Sequence, residues 1–161
     1  MNYLKRLAYS VAVLGVTTVS VWASSQDQIR VSGALATDVQ TITIEEIEAI
    51  GLTTISASSP SDASKRSFSG VWLDDFVAAY GADTVASIRF TAIDYYQVTF
   101  DRAEWERSKI LLATRENGKV LEFETRGPMR VIVDDYDPND ELHQELTPKW
   151  IWMITEITFN D

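Results

Sequence analysis

The chain has no cysteine, a single histidine, seven glycines and four prolines in 161 residues. Without cysteine there can be no disulfides, thiolate chemistry, iron–sulfur clusters or cysteine-ligated metals, and no lipid-bearing cysteine. The lone His143 lies in an acidic segment near Glu141 and Gln144, and no Ser-His-Asp arrangement can be argued around it. It reads as a surface histidine without a nearby partner. The glycines are scattered, so no phosphate-cradling glycine loop occurs. Positive charge is scarce too: 14 Lys and Arg stand against 24 Asp and Glu, for a formal net charge of −10. That balance disfavours nucleic acid and anionic membrane surfaces as partners.

Long apolar runs are also rare. The one present, Leu7 to Val21, follows Lys5 and Arg6 and leads to Val21-Trp22-Ala23. A basic start, a short apolar stretch and a small residue at its end are the marks of an export signal cleaved after Ala23. The run is short and poorly flanked for a membrane span, although an uncleaved anchor is the alternative. Residues 24–161 then form a single, exported, still more acidic domain, expected in the periplasm without inserting in the membrane.

Along that domain, Ile29 to Ser32, Val39 to Ile44 and Leu52 to Ser56 read as strands. Thr43 caps a short helix, Glu45 to Ile50, that Gly51 ends. Ala57 to Lys65 reads as an irregular polar loop. Ser69 is placed to cap an amphipathic helix, Val71 to Tyr80, with Gly81 at its end. Ser87 to Ala92 and Tyr96 to Phe100 are strands, and Asp101 caps a helix over Arg102 to Arg107. Lys109 to Ala113 and Lys119 to Phe123 flank Glu116-Asn117-Gly118, a hairpin signal. Met129 to Val133, Lys149 to Met153 and Glu156 to Phe159 complete the strands, with an acidic loop from Asp134 to Thr147. Strands outnumber short helices and no βαβ rhythm recurs, so the fold class is α+β with mixed sheets.

Two kinds of residue suggest a site. Arg130 stands in an apolar strand just after the turn Arg126-Gly127-Pro128, and a guanidinium there needs an anionic or planar partner. Either a carboxylate of the chain or a ligand could supply it. Aromatic side chains are plentiful, at 11% of the chain. Many belong to the core, yet Tyr95-Tyr96 follows Asp94, and Trp150 follows Lys149. Aromatic faces with charged neighbours suit a flat, hydrogen-bonding heterocycle. The acidic residues Asp135, Asp137 and Asn139 have alternate spacing, but Asp140 replaces the glycine of an EF-hand and Leu146 its late glutamate. That stretch reads as a solvated loop, and no metal ligand set is assigned.

The order of segments resembles the molybdopterin-binding domain of the sulfite-oxidase fold. The matching pieces are 68–76 (FSGVWLDDF), 92–96 (AIDYY), 110–113 (ILLA), 117–121 (NGKVL), 126–133 (RGPMRVIV) and 149–151 (KWI). The resemblance implies that fold and places cofactor-holding roles on Arg130 and Lys149. Trp72, Tyr95, Tyr96 and Trp150 are candidate stacking faces; Asp94, Arg126 and Ser69 complete the candidate ligand-binding set. The family's enzymes hold molybdenum with a cysteine thiolate, which this chain lacks, so no catalytic residue is assigned. Short, exported, cysteine-free members resemble periplasmic pterin-sensing proteins (PruR-like). That likeness implies a pterin as ligand with no tightly bound cofactor. It also implies a partner, the periplasmic domain of a membrane-bound cyclic di-GMP signalling enzyme; the acidic loop is the expected meeting surface. The competing readings are a molybdopterin-dependent oxidoreductase or its subunit, and an adaptor with a vestigial pocket.

Overall fold

The computed structural model describes residues 28–161. The reading of residues 1–23 as an export signal lies outside them. Among the described residues no helix is long and apolar enough to cross a membrane.

The chain begins with β1 (Gln28–Gly33) and β2 (Thr41–Thr43), followed by α1 (Ile44–Gly51). Thr43 and Glu46 close the amino end of α1 reciprocally: Thr43 Oγ1 accepts from the Glu46 N–H at 3.1 Å, and Glu46 Oε2 accepts from the Thr43 N–H at 2.7 Å. Next come β3 (Thr53–Ser59) and β4 (Asp62–Trp72), then α2 (Leu73–Tyr80), β5 (Ser87–Ala92) and β6 (Gln97–Asp101). The remaining elements are α3 (Arg102–Arg107), β7 (Ile110–Glu116), β8 (Lys119–Val120), β9 (Arg130–Val133), α4 (Glu141–Leu146) and β10 (Ile154–Asn160).

These strands make two sheets, as expected of the α+β class. One runs β2-β1-β10-β5-β6, with β1 and β10 parallel and the other pairs antiparallel. The other runs β3-β4-β7-β8, with β9 also paired to β7. Alternating apolar residues of both sheets meet in a shared core that holds Ile29, Phe90, Phe100, Ile157 and Phe159 with Phe68, Leu112, Val131 and Phe76 of α2. Burying those side chains, each worth roughly 1.5–3 kcal/mol, holds the sheets together in a chain without disulfides. Gly70 is required where β4 pairs with β7, because a Cβ there would stand 2.1 Å from the Leu112 carbonyl oxygen.

Five local expectations change. The Ser-rich stretch Ala57 to Lys65 is no loop: β3 and β4 pair from Thr53 opposite Gly70 to Ser59 opposite Asp62, with one shift of register between Ala57 and Ser59, so only Pro60-Ser61 turns. Ser69 lies inside β4 and caps nothing; α2 starts at Leu73 with Trp72 at its cap position. The acidic segment contains α4, whose Asp140 side chain accepts from the His143 N–H at 3.1 Å. Lys149 to Met153 is not a strand, since Thr147–Lys149 is a turn of 3-10 helix and Met153 has φ +57°. His143 has partners as well: Nδ1 accepts from the Asp137 N–H at 3.0 Å, and its ring stacks on Tyr136 at 5.8 Å.

Candidate functional site

The site forms where the segment before β9 meets the segment before β10. Arg126 takes a left-handed conformation (φ +70°) and the Gly127-Pro128 peptide bond is cis. Gly127 is required there, because a Cβ would stand 2.1 Å from the Leu121 carbonyl oxygen. The Met153 N–H donates to the Arg126 carbonyl at 3.2 Å and the Val131 N–H to the Ile151 carbonyl at 2.8 Å. Arg130 itself pairs with Ala113 of β7 and bridges to Trp152. The backbone thus fixes Arg130 and the Trp150–Trp152 segment side by side.

Arg130 is only 6% exposed. Its Nε has no hydrogen-bond partner among the described residues. The nearest carboxylate oxygen, on Glu116, lies 3.6 Å from Nη1, beyond a normal hydrogen bond. Glu116 is engaged elsewhere, accepting from Arg66 Nη1 at 2.9 Å, and Arg66 also pairs with Asp62 at 2.5 Å. The Phe68 ring lies 5.2 Å from the Arg130 guanidinium carbon, a cation–π distance. Burial pushes the guanidinium below its ordinary value; Glu116 opposes that, while Arg126 and Arg66 reinforce it. The fold therefore holds a buried cation that it neutralises only in part.

Two clefts open on that cation. The first, of about 510 Å³, is lined by Asp94, Tyr96, Arg126, Arg130, Trp150 and Trp152, with Pro148 at its rim and Ser59 and Ser61 contributed by the β3–β4 turn. The second, of about 730 Å³, is lined by Arg66, Phe68, Glu116, Lys119 and Glu124, and shares Ser59, Ser61, Arg126 and Arg130 with the first. The arginines stand between the two. In the first cleft, Trp150 is 8% exposed with Nε1 unpartnered among the described residues, and the Tyr136 ring meets it edge-on at 5.4 Å. Trp152 is 45% exposed and carries the Arg126 guanidinium 5.1 Å from its ring centre. Asp94 Oδ1 accepts from the Tyr96 N–H at 3.1 Å, and Tyr96 Oη donates to the Pro148 carbonyl at 2.8 Å. A planar ring entering here would meet aromatic faces, two guanidinium groups and one carboxylate.

Of the nine candidate residues, five converge: Arg130, Arg126, Asp94, Tyr96 and Trp150 line the first cleft. The other four line neither cleft. Lys149 Nζ donates to Glu104 Oε1 at 2.5 Å. Trp72 is half-buried, with Lys109 Nζ 5.6 Å from its ring centre. Tyr95 is 85% exposed at φ +67°, and buried Ser69 shares a hydrogen bond with Thr54 at 2.8 Å. Sequence reasoning missed Ser59, Ser61, Glu116 and Trp152. Ser59 and Ser61 were hidden in a stretch read as loop, and the Glu116–Arg66 pair spans 50 residues. In the acidic segment, Asp137 accepts from Asn139 and Asp140 from His143, so these carboxylates shape turns. Among the described residues no group of three His, Cys, Asp or Glu is placed to hold a metal ion.

This architecture belongs to a recognised class. Residues 17–155 match the model of the oxidoreductase molybdopterin binding domain, and the chain belongs to that family. The structure is similar to that of the sulfane dehydrogenase SoxCD from Paracoccus pantotrophus, with a TM-score of 0.63 and 16% identity over 88% of this chain. The match covers 40% of the SoxCD chain, and at that identity the likeness is one of fold. Comparison with curated proteins finds no match.

The cleft's donor set fits the organic part of a pterin cofactor. Arg130 has an N–H unsatisfied among the described residues, Arg126 is exposed, and Trp150 and Tyr96 supply aromatic rings. The sequence offers no thiolate, so a molybdenum ion would depend on the cofactor's own donor atoms and on oxygen or nitrogen ligands.

Proposed function

We propose that the chain is a non-catalytic pterin-binding sensor acting in the periplasm, and that its ligand occupies the first cleft. The observation that carries the ligand assignment is Arg130, a buried guanidinium on the wall of an aromatic cleft whose Nε has no partner among the described residues. A pterin's pyrimidinone edge presents a carbonyl beside a row of N–H donors. Arg130, with Arg126 beside it, suits the carbonyl, and Asp94 suits the donors. Trp150, Tyr96 and Trp152 offer faces for the ring, each aromatic pairing worth about 0.5–1.5 kcal/mol beyond area burial. The sensor role is supported by the resemblance to cysteine-free pterin-sensing proteins, the absence of a thiolate and the export-like amino terminus. In this reading the liganded domain biases a membrane-bound cyclic di-GMP enzyme by binding one of its states more tightly than the other.

The test is titration of residues 24–161 with oxidised and reduced pterins while tryptophan fluorescence is followed. Saturable quenching at tens of micromolar ligand, an affinity of about 6–7 kcal/mol, is expected. Its absence with every pterin tried overturns the assignment. Family membership favours a second reading, an oxidoreductase domain carrying molybdopterin in the same cleft. Stoichiometric molybdenum in protein purified from a cofactor-competent host would decide for it.

A further inference from the structure

We infer that Lys149 and Glu104 are positioning residues that set the wall of the first cleft, and that Lys149 acts through Glu104 without touching the ligand. The inference rests on the ligand site proposed above. The Lys149 amine lies 2.5 Å from Glu104 Oε1 and 5.2 Å from the centre of the Phe100 ring, and the two charged side chains are only 24% and 17% exposed. Its charge is therefore directed into the β6–α3 corner, and Lys149 is absent from the lining of both clefts. Glu104 is engaged on its other side too, where Oε2 accepts from the Asp101 N–H at 2.7 Å and closes the start of α3.

The consequence lies one residue further on. Lys149 ends the 3-10 turn Thr147–Lys149, and the next residue, Trp150, is a wall of the cleft. The same turn accepts a second tie, from Tyr96 Oη to the Pro148 carbonyl at 2.8 Å. Tyr96 immediately precedes β6 and Glu104 follows it, so the turn is fastened at both ends of that edge strand. Nothing else charged pairs with Lys149 among the described residues. A partly enclosed ion pair of this kind is costly to break from one side, because the remaining charge is left without its counter-ion. Losing either partner frees the turn, and Trp150 leaves the position in which it faces a ring.

The experiment uses Lys149→Met, Glu104→Gln, the double variant and Lys149→Arg in the 24–161 domain. It reads the ligand-free near-ultraviolet circular dichroism and the affinity for the pterin that quenches the parent protein. Both single variants should lose affinity by about tenfold and share one change in the indole signal. The double variant should be no worse than either, because all three sever one tie. Lys149→Arg should restore the parent signal and bind within about threefold of the parent. A Trp150→Phe background should abolish the shared spectral change. The inference is overturned if Lys149→Met loses affinity with the parent indole signal intact, if Glu104→Gln binds like the parent, or if the two losses add. Should Glu104→Gln fail to fold, Glu104→Asp keeps the charge while withdrawing it from Lys149, and the same outcomes apply. If the parent protein binds no pterin, the site proposal fails, while the ligand-free spectra still decide whether the tie holds Trp150.

Discussion

A guanidinium that is 6% exposed, with Nε unpartnered and the nearest carboxylate at 3.6 Å among the described residues, costs folding free energy that its contacts return only in part. Removing it should therefore separate stability from function. Arg130→Met is expected to leave the unfolding free energy from urea melts unchanged or raised, by up to about 1–2 kcal/mol, since apolar replacements of incompletely satisfied buried charges are often neutral or stabilising. The same variant should weaken pterin binding by at least about tenfold, or 1.4 kcal/mol. Arg130→Met that binds as tightly as the parent would remove Arg130 from the site. Glu48 shows the opposite case. Burial alone would raise its carboxyl, but hydrogen bonds from Arg115 and Thr114, with the Arg115 charge, outweigh that and hold it below the ordinary glutamate range. A depressed folded value means that its stabilising contribution is complete above the unfolded value, about 4.3, and is lost as pH falls through the folded one. Glu48→Gln should accordingly flatten the fall in urea stability between about pH 5 and pH 3. An unchanged slope would show that the Glu48–Arg115 pair contributes nothing to acid sensitivity.

At the scale of the element, the turn before β9 sets the site. Gly127→Ala would put a Cβ 2.1 Å from the Leu121 carbonyl oxygen, a backbone atom that cannot swing aside. The expected result is destabilisation of about 3 kcal/mol or more in urea melts, accompanied by loss of pterin binding as Arg126 and Arg130 shift. Much of this level was legible in the sequence, wherever the signal is local. Thr43 with Glu46, and Asn117-Gly118 with φ of +51° and +77°, announce a helix start and a hairpin from a few adjacent residues. The Arg130 strand and the Asp94-Tyr96 corner were legible as candidates because charge in an apolar or aromatic run is itself unusual. What stayed hidden is set at long range. The Ser-rich stretch becomes β3 and β4 because each strand pairs with the other and β4 with β7, which serine's weak intrinsic preference does not reveal. Lys149 sits beside Trp150 in sequence, yet its amine goes to Glu104, 45 residues earlier. Alternation failed over 149–153 because a 3-10 turn and the positive φ of Met153 break the two-residue period.

Across the whole molecule, the first cleft lies on the seam between the sheets. Asp94 and Tyr96 come from the β5–β6 corner of one sheet, and Arg130 starts β9 in the other. Trp150 and Trp152 belong to the segment that leads from α4 into β10 of the first. A ligand held by all of these contacts both sheets, so its binding energy opposes their separation as well as closing a pocket. This gives a sensor a physical means of reporting occupancy, because the relative mobility of two bodies can change without either refolding. Pterin at 100 times its dissociation constant should stabilise the domain by about 2.7 kcal/mol and raise the melting temperature by roughly 5–10 °C. Arg130→Met should abolish most of that rise. Hydrogen exchange places the effect: ligand should slow exchange both in β9, which pairs with β7, and at the β5–β6 corner. Protection confined to one sheet would mean that the ligand does not bridge the seam, and the two-sheet means of signalling would fall even if the affinity were as expected.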